Sequence, residues 1–177
     1  TCGEVLFSGN EICDARVSKS CGGVSELFSS CWNDEDKSYL QPIRDSACHS
    51  LPDLTNEANA EKWIRSAPES FCNSNDDKVL SQVLNDYDLE TKDFYRWKVV
   101  YKATELSALV KKNTGIDFGS IKNLVPLRRG ASGRIIELLI EGTKKQMIIG
   151  KELEIRRVLS NSHLKSSAFV VDCFDAD

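Results

Sequence analysis

Apolar and polar positions alternate most clearly in the second half of the chain. Phe94 to Lys102 reads F-Y-R-W-K-V-V-Y-K, with Tyr95, Trp97, Val99 and Tyr101 set against Arg96, Lys98 and Lys102. That is the pattern of a half-buried strand. Thr104 is placed to cap a helix whose inner face is Leu106, Leu109 and Val110 and which Gly115 closes. Ser120 to Arg128 follows as a strand, and Gly130-Ala131-Ser132-Gly133 turns the chain. Arg134 to Glu141 is a strand with Ile136, Leu138 and Ile140 on one face. Gly142-Thr143 suits a two-residue hairpin turn into Lys145 to Ile149. Gly150 to Leu159 reads as a helix, with Glu152 and Glu154 early and Arg156 and Arg157 late, matched to the helix dipole. Ala168 to Cys173 closes the series as a strand.

Residues 93–173 thus predict a β-α-β-β-β-α-β core, with Tyr95, Trp97, Val99, Ile136, Leu138 and Ile140 as its centre. The N-terminal half is less regular. Thr1 to Val5 reads as strand, and Glu4 to Phe7 and Glu11 to Ser18 flank a hairpin turn at Ser8-Gly9-Asn10. Residues 33–60 are polar and turn-rich. Ala58 to Ser66 and Asp76 to Leu84 have helix character, the first ending before Pro68. The expected fold class is α+β: a mostly antiparallel sheet with helices packed on it, an N-terminal hairpin and a loop-rich segment.

Composition narrows the function classes. The chain has 177 residues and a net charge of −4, which argues against a dedicated nucleic-acid binder. No apolar run approaches the roughly 20 residues that span a bilayer, so no transmembrane segment is expected in this chain. Seven cysteines are present, five of them within the first 48 residues. No CxxC pair occurs, so a zinc ribbon is not expected. Disulfides in an oxidising compartment and small buried thiols both remain open readings.

The stretch Ile12 to Gly23, I-C-D-A-R-V-S-K-S-C-G-G, runs from a strand into a turn carrying Ser18, Lys19 and Ser20. Two hydroxyls, an ammonium and exposed amides suit a sugar or an anion; a solvated turn is the plain alternative. Ser18 and Lys19 are adjacent and face opposite ways, and no S-x-x-K occurs, so a Ser-Lys nucleophile pair is not expected. Cys48-His49 with Cys31 or Cys72 matches no common metal spacing. His163 is read as structural, and Arg128-Arg129 and Arg156-Arg157 as solvated faces. Glu26 follows the Gly-Gly turn without a second carboxylate paired to it. No phosphate loop or catalytic triad is present. No cofactor and no metal is expected.

Several longer motifs carry a family resemblance. They are D-A-R-V-S-K-S-C-G-G, Cys31-Trp32, Tyr39-Leu40, W-I-R-S at Trp63 to Ser66, the run from Gln82 to Val99, R-G-A-S-G-R-I at Arg129 to Ile135, and Gly150 to Phe169. Together they resemble the stage II sporulation protein D family, also called the amidase-enhancer or LytB domain, in its Bacteroides-type branch. The resemblance covers essentially all of residues 1–177. It implies the central portion of one such domain, with the hairpin and Gly-Gly loop region in residues 1–50.

The resemblance also implies activity and place. Members are cell-envelope proteins that act on peptidoglycan. Some are lytic transglycosylases that cut denuded glycan, using one glutamate to protonate the glycosidic oxygen before a 1,6-anhydro ring closes. Others enhance a cell-wall amidase. The family's acid and its Gly/His/Cys-rich segment match nothing in this chain, so no catalytic residue is assigned and the isolated chain is expected to be inactive. The implied ligand contacts are Ser18, Lys19 and Ser20, with Gly22 and Gly23 shaping the loop and Ser25 and Glu26 matching the Thr-Glu that usually follows. Val17 stands where an aromatic is common. The implied partners are peptidoglycan glycan strands and a cell-wall amidase, and the implied location is extracytoplasmic.

Overall fold

The computed structural model describes residues 3–83 and 93–174. Thr1, Cys2, Leu84 and much of the Gln82 to Val99 motif lie outside the described residues. The fold is α+β, and the described residues form two small antiparallel sheets.

The larger sheet has the order β3-β4-β5, made of β3 (Ile121–Arg129), β4 (Ile135–Gly142) and β5 (Gln146–Ile149). Leu124 pairs with Ile140 across β3 and β4, and Leu139 with Ile148 across β4 and β5. Helix α4 (Ala103–Thr114) and helix α5 (Glu152–Val158) pack on one face. The core between them holds Ile135, Leu138 and Ile140 from β4, Val110 from α4, Ile155 and Val158 from α5, and Phe118. Fully burying each such side chain stabilises by about 1.5–3 kcal/mol, so this layer carries the fold. Trp97 packs against it and meets Phe169 edge-on, ring centroids 6.3 Å apart.

Local chemistry explains the element ends. Helix α2 (Glu57–Ser66) starts where the Asn56 side chain accepts from the Asn59 amide, and it ends at Ala67 in the left-handed region. Helix α4 begins two residues earlier than a Thr104 cap implies. Its N-cap is Lys102, whose amide donates to the Glu105 carboxylate at 3.1 Å, and Gly115 closes it at φ +74°. The β4–β5 turn centres on Thr143-Lys144, with the Gly142 amide bonded to the Lys145 carbonyl at 2.9 Å. Gly142 serves close approach: a Cβ there would sit 2.1 Å from the Phe118 carbonyl oxygen.

In the C-terminal half, two expected strands are not strands. Residues 94–102 make no ladder. Tyr95 turns its hydroxyl to the Pro68 carbonyl, and the Arg96 guanidinium donates to the carbonyls of Ile64, Trp63 and Tyr95. The polar position Arg96 of this alternation thus binds backbone, and Val99 is exposed. Residues 168–173 are likewise irregular. They are tethered by the Ile135 amide on the Ser167 carbonyl and by Arg129 on the Phe169 carbonyl. The expected centre is corrected to match: Leu138 and Ile140 belong to the main core, whereas Tyr95 is buried against Ser70 instead.

The N-terminal half is assembled mostly from loops. The hairpin is short, with β1 (Phe7–Ser8) paired to β2 (Glu11–Ile12), and residues 3–5 are not strand. Helix α1 (Phe28–Cys31), which sequence periodicity does not reveal, buries Phe28. Helix α3 (Asp77–Val83) lies at the second expected helix. A buried Arg129 joins this half to the sheet, donating to both Glu57 oxygens at 2.6 and 2.7 Å and to the Gly133 carbonyl.

Candidate functional site

The loop after β2 crosses to a buried seat formed by α2 and the segment after it. Gly22 and Gly23 make that crossing at φ +74° and +101°, values that favour glycine. Space demands glycine at Gly23 as well. A Cβ there would lie 2.7 Å from Ser70 Oγ and 2.9 Å from both the Trp63 ring and the Tyr95 hydroxyl. Backbone bonds then fasten the loop. The Gly22 carbonyl accepts from Trp63 Nε1, the Gly23 carbonyl from the Asp45 amide and from Arg44, and the Cys21 carbonyl from Arg134.

The sequence-predicted contacts separate into two groups. Lys19 and Ser20 line one cleft together with Phe71, Asn73, Asn75 and Phe94. Ser18 is exposed just before them. Gly22, Gly23, Ser25 and Glu26 do not line this cleft. Ser25 Oγ accepts from the Ile43 amide at 2.8 Å and stitches the loop to residues 41–44. Glu26 reaches the turn between β3 and β4. Its carboxylate accepts from the amides of Ala131 and Ser132 at 2.9 and 3.1 Å, from the Ser132 hydroxyl at 2.5 Å, and from the Leu27 amide at 2.9 Å. Every one of those donors is a fixed part of the fold, so Glu26 works as a tie between the loop and the sheet.

The cleft is small and open. Its enclosed part holds about 70 Å³, against the ~300–1,000 Å³ of a pocket that swallows a small molecule. It can hold one protruding group of a longer ligand lying on the surface. Phe71 stands beside it with 70% of its surface exposed. An apolar ring face next to amide side chains, a hydroxyl and an ammonium offers both kinds of contact a sugar makes.

In the cleft wall, of which Cys72 is part, Cys21 and Cys72 place their sulfurs 3.6 Å apart, and the Cys72 amide donates to Asp45 at 2.9 Å. The hydrogen bond from Cys21 lowers the Cys72 thiol to about 7, and the same bond raises Cys21. Burial of Asp45 works against its charge, but bonds from Cys72 and Cys21 prevail and hold its carboxyl below the usual range. Elsewhere, burial first and then the nearby Glu152 push Cys31 up to about 12. Cys48 and His49 are exposed. Among the described residues, Cys21, Asp45 and Cys72 are the group of potential ligands that converges. Sequence reasoning missed Phe71, Asn73, Asn75, Phe94 and the Cys21–Asp45–Cys72 group, because residues 51 apart in sequence meet only through the loop crossing.

A family model described as "Domain of unknown function (DUF8618)" matches residues 26–176. The chain belongs to this family. The DUF8618 match opens at Glu26 and takes in Asp45, the cleft residues Phe71, Asn73, Asn75 and Phe94, and the whole β3-β4-β5 sheet. Lys19, Ser20 and Cys21 precede it. No curated protein and no solved structure matches the chain. No helix among the described residues is long and apolar enough to cross a membrane.

Proposed function

We propose that this chain is the glycan-gripping part of a peptidoglycan-acting domain of the lytic-transglycosylase type, working in the cell envelope. The observation that carries this reading is the cleft in which Lys19 and Ser20 meet an exposed phenyl ring and two amide side chains. Its open, shallow form suits a polymer laid across a surface, with one N-acetyl or lactyl group lowered into it. Phe71 would cover the apolar face of a sugar ring, Asn73 and Asn75 would bond hydroxyls, and Lys19 would meet a carboxylate or an acetamide oxygen.

The same geometry favours binding over bond cleavage by this chain. A general acid needs its proton aimed at the leaving oxygen, and the Glu26 carboxylate is instead occupied by four donors of the fold. A role in positioning glycan for an acid held elsewhere, or for an amidase, follows from that. Calorimetry with denuded glycan strands and with chitooligosaccharides tests the reading. Lys19→Ala and Phe71→Ala should each weaken binding tenfold or more, the loss of about 1.4 kcal/mol or more, with unchanged circular dichroism. Mass spectrometry should find no 1,6-anhydro ends after incubation. A wild-type chain that binds no glycan would end this reading.

A further inference from the structure

We infer that Cys21, Asp45 and Cys72 form a zinc-binding site. The three come from separate segments: the loop after β2, the strand-like stretch that bridges Val24 to Arg44, and the turn that follows α2. One ligand atom of each lies within 4.8 Å of the other two. The sulfur–sulfur distance is 3.6 Å. Two thiolates at the ~2.3 Å zinc–sulfur distance, at the tetrahedral angle, stand about 3.8 Å apart. A disulfide demands about 2.05 Å; the two sulfurs are in thiol hydrogen-bond contact, a spacing close to the edge of a metal tetrahedron and well outside a bond.

The carboxylate decides further between these two outcomes. A disulfide makes no use of a carboxylate oxygen within 4.8 Å of both sulfurs, whereas a cation gathers all three groups. Two thiolates and one carboxylate are a donor set for a borderline-soft ion of zinc type; magnesium and calcium take oxygen donors. Three protein ligands leave a fourth tetrahedral position for water or another donor.

The surroundings hold the ligands in place, as outer partners do in metal sites. The Asp45 amide donates to the Gly23 carbonyl at 3.0 Å while one of its carboxylate oxygens accepts from the Cys72 amide at 2.9 Å. Arg134 donates to the Cys21 carbonyl at 3.2 Å. The Phe71 amide, next to Cys72, donates to the Asp45 carbonyl at 2.9 Å. Each ligand is thus tied by backbone to a neighbour ligand's segment, and the site can form without refolding of the loops. Binding releases the protons of the two thiols and closes a link between residues 21, 45 and 72.

The test uses the full chain, reduced and stripped of metal by a chelator, then titrated with cobalt(II) and with zinc as competitor. A thiolate-to-cobalt charge-transfer band should rise to saturation at one ion per chain, and zinc should abolish it. Cys72→Ser should remove the band, while Cys48→Ser and Cys173→Ser should keep it. Asp45→Asn, which retains both thiols, should weaken cobalt binding tenfold or more, with circular dichroism confirming that it folds. The inference is overturned if the reduced wild-type chain develops no band. It is equally overturned if the band survives in a folded Cys21→Ser/Cys72→Ser variant, or if non-reducing peptide mapping finds Cys21 joined to Cys72 in a chain that takes up no cobalt once reduced. No glycan enters the measurement, so its failure leaves the glycan reading untouched.

Discussion

Replacing Glu26 separates a structural tie from a ligand contact. The carboxylate accepts two amides of the β3–β4 turn at 2.9 and 3.1 Å, the Ser132 hydroxyl at 2.5 Å and the Leu27 amide at 2.9 Å. Ser132 is buried. Leaving a buried donor unmet costs about 1–3 kcal/mol, with the upper end for charged acceptors. Arg134 donates to the Ser132 oxygen at 2.7 Å and cannot accept the hydroxyl proton, so that donor is stranded along with the amides, although water reaches the half-buried part of the turn at Ala131. Three stranded amides and one stranded hydroxyl, partly met by water, put Glu26→Ala at about 2–4 kcal/mol. Glu26→Gln keeps the volume but turns an amide N–H₂ toward N–H donors, and should cost about 1–3 kcal/mol. Gly130→Ala supplies an independent arm. Its Cβ would come within 2.4 Å of a Glu26 carboxylate oxygen, forcing the carboxylate out of the turn without altering its chemistry, at about 1–3 kcal/mol. Urea unfolding followed by circular dichroism reads all three as a lower midpoint at constant slope. A Glu26→Gln variant within about 0.5 kcal/mol of wild type, the range of ordinary surface changes, would refute the tie. If that variant also lost glycan binding, Glu26 would belong to the site.

Two further outcomes follow from charge. Arg129→Ala should cost about 3–5 kcal/mol in the same assay, because Arg129 is buried and its removal strands the carbonyls of Gly133 and Phe169 and separates α2 from the sheet; Arg129→Lys should rescue little, since a single ammonium cannot meet two Glu57 oxygens and two carbonyls together. Acid should destabilise the β3–α4 corner. The bond from Lys144 first, then the Gly119 amide and Lys111, hold the Asp117 carboxyl well below the usual range, so its stabilising effect is complete above the unfolded pKa of about 3.9 and is lost as pH falls below it. Thermal melts from neutral pH down to about pH 2 should show a drop below about pH 4 that is smaller in Asp117→Asn, and equal slopes in the two proteins would refute the assignment.

Helix α2, helix α4, the β3-β4-β5 meander and helix α5 were legible in the sequence because each writes its own period. Leu138 and Ile140 alternate with Leu139 and Glu141 along β4, and Leu106, Leu109 and Val110 recur at helical spacing before Gly115. The α+β class follows from those elements alone. Residues 94–102 alternate just as well and are not strand. Alternation reports only that two sides differ, and here the inward polar side is Arg96, which finds backbone carbonyls of α2 and so needs no ladder partner. The loop carrying Ser18, Lys19 and Ser20 was legible as a polar Gly-Gly turn.

What that loop meets was not legible. Gly23 is a turn glycine in sequence. In the fold it is the one residue small enough to pass Trp63, Ser70 and Tyr95. That passage brings Cys21 to Cys72, Lys19 to Phe71 and Glu26 to Ser132. Local propensity and period are set by neighbours a few residues apart, so the chain by itself determined helices α2 to α5, its central sheet and the Gly115 close of α4; the short α1 and the Lys102 N-cap were not legible in it. Contacts between segments 50 to 100 residues apart depend on where every intervening element packs, so only the tertiary structure decided which thiols, carboxylates and rings share a site.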